Sequence, residues 1–503
     1  SNSNLFGQAG NPTYTLQTAP RFAGLSAQPP APAAPNVTPP FFPFVVGNGI
    51  PIGLAEGQVN LNVDPALKAP YNIEFNFGAE HEFAQGYLLK IDYVGRLGRR
   101  LLAQADTSQL IEFPDNTGKS TQTMSQAMAG ITTQLRKNPA ILSLSAQPWF
   151  EDILGPQFAA AATSIANSEG IPVTFANNTQ AVGFLAFPYP QRGDFSDTIQ
   201  NLSQYPFFGL PGLPPNVGMA SQFATGQLWT NKGFSDYDGM LVTLHKNAGH
   251  GLQFDLNYTW SHSIDNVSVV ANTLAVDTAY GWICDVLRPR ECRGNSDFDA
   301  TNYLNGTFIY ELPIGRGKSL AGNAPLWLNE TVGGWEISGI PTWHTGYAWT
   351  AFSNAYIAGF ITDAPATLIG STALARTHIT GGQGQPVNIF ANQPAAVADF
   401  MGPTGFAIGS RNNLRGPGFF NLDLGLGKTF PIYEDKVNLK FRVDAFNAFN
   451  HPNFDIPAST GGSIGTDITQ SSGTPFGTIS DTVVPPGSDQ AARVLQGALR
   501  LEF

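Results

Sequence analysis

The chain has 503 residues, a net charge of −11 and only 13% charged residues, and its mean hydropathy is near zero. Soluble domains usually carry about 25% charged residues, and a negative chain with few basic clusters excludes nucleic acid as a partner, because phosphate binding needs a basic stripe. No apolar run approaches the roughly 18–20 residues a helix needs to cross a bilayer, so no transmembrane helix is expected. Aromatics make up 12% of the chain, and 54 Gly and 38 Pro point to many turns and loops.

Residues 1–70 are rich in Pro, Ala and Asn and low in charge. The Pro-rich stretch 28–43 reads as extended loop, with a short first strand expected near 44–52. The chain opens without Met or a signal peptide and reads as a processed or truncated product. From Tyr71 onward the pattern has a period of two. Tyr71, Ile73, Phe75 and Phe77 alternate with Asn72, Glu74 and Asn76. The same alternation predicts nine strands, at 71–83, 87–97, 237–247, 251–262, 302–312, 333–349, 419–429, 437–447 and 493–503. Strands of about ten residues match a bilayer span. Tyr71, Phe83, Tyr258, Trp260, Tyr310 and Trp335 sit near strand ends, as interfacial girdles do.

The links between these strands alternate short and long without exception. Tight periplasmic turns and long extracellular loops give this rhythm in outer-membrane barrels. The fold class expected is therefore all-β: a transmembrane antiparallel up-and-down β-barrel of outer-membrane type over 71–503. Its extracellular loops are expected at 98–236, 263–301, 350–418 and 448–492, with the C-terminus periplasmic. The longest loop is too long to be bare, and helices are predicted over 120–135 and 148–167 as part of a cap.

Single motifs are weaker. Cys284 and Cys292 fall in one long loop and predict a local disulfide in an oxidising compartment. Leu499, Leu501 and Phe503 place apolar residues at alternate positions up to a terminal aromatic. That pattern resembles the signal read by the barrel-assembly machinery. Asp297 and Asp299 lack the glycine and terminal Glu of a calcium loop. GRGKS at 315–319 lacks the first glycine of a phosphate loop and reads as a turn. Ser261, His262 and Asp265 are too close in sequence for a catalytic triad. No catalytic, cofactor-binding or metal residue is assigned. Glu74, Lys90, Asp92, Asp255, Arg442, Asp444 and Arg500 face the polar side and are expected to pair across strands or to contact a plug.

Several segments resemble a known family. SDYDGMLVTLHK at 235–246, GLQFDLNYTWSHSIDN at 251–266, DFDATNYLNGTFIYELPIGRGK at 297–318, RGPGFFNLDLGLGKTF at 415–430, LKFRVDAFNAFNHPNF at 439–454 and the final ALRLEF are similar to the barrel of Oar-like TonB-dependent receptors of the acidobacterial type. YVGRLGRRLL at 93–102 fits the same pattern. The resemblance implies an outer-membrane receptor that imports a ligand, with a carboxypeptidase-regulatory-like domain, a plug and a barrel of about 22 strands. It also implies a TonB-type energising complex as partner. The sequence shows no plug and no TonB box. Nine strands are about half such a barrel, and open edges are untenable in lipid. The remaining strands are expected upstream of Ser1 in a longer chain; a small closed barrel, or strands from another chain, are the other two solutions. The competing functions are a barrel that anchors a surface assembly through its loops and other protein chains, and a soluble extracellular β-protein.

Overall fold

A computed structural model describes residues 58–84, 86–106, 110–205, 211–213, 223–249, 251–268, 282–357, 363–371, 379–382, 385–433, 437–457, 465–470, 473–485 and 490–503. The strand expected near 44–52 lies outside the described residues. The chain divides into two compact units, one of residues 1–65, 106–191 and 196–229 and one of residues 66–105, 192–195 and 230–503.

The first unit is mainly helical. Its first helix, α1 (Met124–Lys137), starts at Thr123, whose side chain accepts the Gln126 N–H while the Gln126 side chain returns to the Thr123 N–H, a capping box. Met124, Ala127, Met128, Ile131 and Leu135 recur at helical spacing and are all buried. The helix expected over 148–167 is two helices, α2 (Pro148–Leu154) and α3 (Phe158–Ser168), because Gly155 adopts a positive φ between them. Trp149 and Phe150 of α2 are fully buried. Glu151 accepts the backbone N–H groups of Asn178 and Thr179 and the Thr179 hydroxyl at 2.8–3.0 Å, which satisfies the start of α4 (Asn178–Leu185). The short strand Gln58–Val63 pairs in parallel with Phe223–Trp229, the first residues of a long strand whose remainder belongs to the second unit.

The second unit is built on a long antiparallel sheet. Nine strands follow one another in chain order: β1 (Tyr71–Ala84), β2 (Tyr87–Asp106), β3 (Phe223–Gly249), β4 (Leu252–Asp265), β5 (Asn302–Glu311), β6 (Trp335–His344), β7 (Phe419–Tyr433), β8 (Val437–Phe446) and β9 (Val494–Glu502). Every predicted strand is present. β2 and β3 run 20 and 27 residues, well past the alternating part of their sequence. Two links are tight turns, and Gly86 and Gly251 supply the positive φ each requires.

The register separates two faces. One row across the sheet is Phe254, Phe308, Gly339, Leu424, Ala445 and Leu495; the neighbouring row is Gln253, Ile309, Ser338, Gly425, Asp444 and Gln496. The apolar face is not covered: Phe77 and Leu499 are each 70% exposed. The buried core of this unit lies elsewhere, in the long links. Trp349, Phe390, Phe400, Phe476 and Ile479 form one cluster, and Ala103, Ala105, Ile283 and the two cysteines form another.

The closed barrel expected from the sequence is not formed among the described residues. The nine strands make an open sheet with β1 and β9 at its two edges. The edge strands β1 and β9 run in the same direction, and outer-membrane barrels close by antiparallel pairing.

Candidate functional site

The polar face comes first. Each charged residue predicted to lie on it has a partner there. Arg96 meets Glu74 at 3.0 Å, Lys90 meets Asp92 at 3.1 Å, His245 meets Asp255 at 3.3 Å, Arg442 meets Asp444 at 2.8 Å and Arg500 meets Glu502 at 3.4 Å. Such partly exposed pairs stabilise little individually; what they do is keep one face of the sheet polar. A groove of about 350 Å³ runs along this face between β5, β6, β7 and β8, lined by Thr307, Glu336, Ser338, Asp423, Arg442 and Asp444. Beside these polar groups Ile309 and Ile340 project from the same face and are 42% and 51% exposed. The face is thus mixed, suited to contact with a folded body as well as with water.

The second feature is an ionic cluster at the rim where the long links leave the sheet. Arg411 pairs with Asp265 and, at 3.1 Å, with Asp297, and donates to the Cys292 carbonyl at 3.2 Å. Asn412 donates to Asp297 and bridges to the Asn295 backbone. Arg415 pairs with Asp299, which also accepts the Ser263 N–H at 2.7 Å and faces His262 at 3.3 Å. Asp265 and Asp299 are almost wholly buried. A buried carboxylate without a partner is costly, so these arginines are what make the acidic cluster tenable. Burial dominates at Asp297 and raises its pKa above the usual carboxylate range, partly opposed by Asn412 and Arg411.

Some of the residues singled out in the sequence belong to this cluster and others lie elsewhere. The Asp297 and Asp299 carboxylates meet guanidinium groups. His262 faces Asp299 and not Asp265, so no triad is assembled. GRGKS is a turn, with Gly315 and Gly317 at positive φ. Cys284 and Cys292 form a disulfide with their Cα atoms 5.7 Å apart, packed against the end of β2. Leu499 and Leu501 project from the apolar face of β9, whereas Phe503 lies one residue beyond the strand and is 98% exposed. Arg99 and Arg100 are engaged, Arg99 with Asp236 at 2.7 Å and Arg100 over the Tyr71 ring at 5.4 Å. The sequence singles out neither Arg411 nor Arg415, and it offers Asp265 only as a neighbour of Ser261 and His262. The only signal was two arginines spaced by four in RNNLR and a surplus of aspartates near 297.

Comparison with known proteins follows the same lines. No curated protein matches the chain. Among solved structures, the outer membrane transporter YddB from Escherichia coli is similar at 8% identity, over 88% of this chain and 34% of that one, with a TM-score of 0.33. The FrpB iron transporter from Neisseria meningitidis (F3-3 variant) is similar at 9% identity, over 79% of this chain and 29% of that one, with a TM-score of 0.26. The chain spans about a third of the length of each. The family model described as outer membrane beta barrel domain matches residues 1–496. A wall of alternating strands with one uncovered apolar face and one paired polar face is what that description requires, and the chain belongs to the outer membrane beta barrel domain family.

Proposed function

We propose that this chain supplies part of the wall and the outer caps of a TonB-dependent, Oar-like outer-membrane receptor that takes up a ligand. The observation that carries this reading is the inner, polar face: paired charges interrupted by the exposed Ile309 and Ile340, a surface suited to an internal plug. In this reading the tight turns and the end of β9 point to the periplasm, and the long links are extracellular. The wall closes into a barrel with strands beyond these nine, because an open edge in lipid leaves backbone groups unbonded. Leu499, Leu501 and Phe503 serve the barrel-assembly machinery. The partners are outer-membrane lipid and a TonB-type energising complex.

Planar-bilayer recording of the full-length protein tests this. A closed lumen that conducts once mild denaturant unseats its plug is the expected result. A protein that never conducts favours the second reading, a barrel that anchors a surface assembly. That reading draws on the buried aromatic cluster around Trp349 and Phe476, which gives the long links a rigid core of their own.

A further inference from the structure

The link between β5 and β6 is the longest of the short links, and it carries a helix, α5 (Leu326–Val332). Its position is fixed by Lys428. On β7 this residue follows Leu422, Leu424 and Leu426 on the apolar face, opposite Trp335 of β6. The ammonium lies 5.4 Å from the centre of the Trp335 ring and 4.7 Å from that of Phe430. It donates to the carbonyls of Glu330 and Thr331, the last turn of α5. The Trp335 indole N–H donates to the same Thr331 carbonyl at 3.0 Å. A lysine on the apolar face of the wall therefore caps the helix, so α5 is held on that face of the sheet and not on the polar one.

What α5 then presents is unusual for a solvated turn. Leu326 is 65% exposed and Trp327 72% exposed, and Leu320 in the preceding turn is 56% exposed. The same turn carries Arg316, and Lys318, whose ammonium lies 3.5 Å from Glu311 and remains half-exposed. Trp and Leu beside basic side chains are the composition of segments that lie at a lipid interface, where the apolar groups enter the acyl boundary and the cations meet phosphates. At the same end of the strands Trp335 packs edge-on against Phe441, with ring centres 6.2 Å apart.

We propose that the turn 313–334 is a membrane-interface anchor: α5 lies in the periplasmic leaflet, with Trp327 and Leu326 inserted among phospholipid acyl chains. This rests on the transmembrane reading of the wall. Lys428 holds the helix to the wall and keeps its own charge at the interface by snorkelling among the aromatic rings.

The test uses the full-length protein in phospholipid nanodiscs with a quencher attached to the lipid at shallow or deep positions. Trp327→Phe isolates the emission of Trp327, and Trp260→Phe isolates that of Trp260, an exposed residue on the apolar face of β4. The Trp327 component should lose about half its intensity to the shallow lipid quencher, and less to the deep one or to aqueous iodide. If Trp327 is quenched by iodide and not by lipid while Trp260 is quenched by lipid, the anchor is refuted and the wall reading stands. If neither is quenched by lipid, the wall reading fails and the anchor with it.

Discussion

Arg411 and Asp265 form an ion pair across 146 residues of sequence, with 13% and 4% of their side chains exposed. The pair joins the end of β4 to the segment that enters β7, so two long links are tied to one another at the rim. Because the carboxylate is buried, losing the arginine leaves a charge without compensation. Arg411→Ala should destabilise the rim by about 3–5 kcal/mol. Limited proteolysis of the folded protein, followed at sites within 263–301, would show it as faster cleavage; an unchanged half-life would contradict the role given to this pair.

The pH dependence of the same cluster has a definite sign. The Asp297 pKa is raised in the folded state, chiefly by burial. The folded state thus holds the proton more tightly than the unfolded chain does, and the stability contributed by this group falls as pH rises from its ordinary value through its raised one. Asp297→Asn keeps an oxygen for Asn412 and removes the titration. As pH rises from about 4 to 7, the thermal midpoint of the native protein should fall relative to that of this variant. Identical slopes would mean that Asp297 does not titrate there.

Asp115 gives the opposite sign in the helical unit. Its carboxylate accepts hydrogen bonds from the backbone and hydroxyl groups of Thr117 and Ser120 at 2.6–2.8 Å, and these hold its pKa well below the usual range. Its contribution is present at neutral pH and is lost as acid protonates it. Asp115→Asn should loosen the 115–120 turn at neutral pH and leave it unchanged in strong acid. Amide exchange at Thr117 and Ser120 would report the difference.

The Cys284–Cys292 disulfide closes a short loop inside a buried cluster, with Cys292 only 1% exposed. Thiol titration should find no free cysteine in the folded or the denatured protein until reductant is added. Replacing both cysteines by serine should cost roughly 2–3 kcal/mol for a loop this small. Free thiols in the folded, untreated protein would exclude the bond.

The parts of this fold that were readable in the sequence are those that repeat locally. A strand with one apolar and one polar face writes its period into consecutive residues, and all nine wall strands are found that way. Their ends are not. β2 continues through Arg99 and Arg100, and β3 begins at Phe223, in stretches where the alternation is already broken. The helical pattern over 148–167 is broken only where Gly155 takes a positive φ. The rim cluster was invisible for a different reason. Arg411 and Arg415 meet carboxylates 114–146 residues away, and contacts at that separation leave no periodic trace. Asp297 and Asp299 were noticed, but only as acidic residues in a loop.

The open sheet has a consequence in parity. Its strands alternate in direction from β1 to β9, so the two edge strands run the same way. Joining them directly would create a parallel seam, whereas the strands of outer-membrane barrels pair antiparallel around the ring. Any set of strands that completes this wall with antiparallel pairing throughout is therefore odd in number.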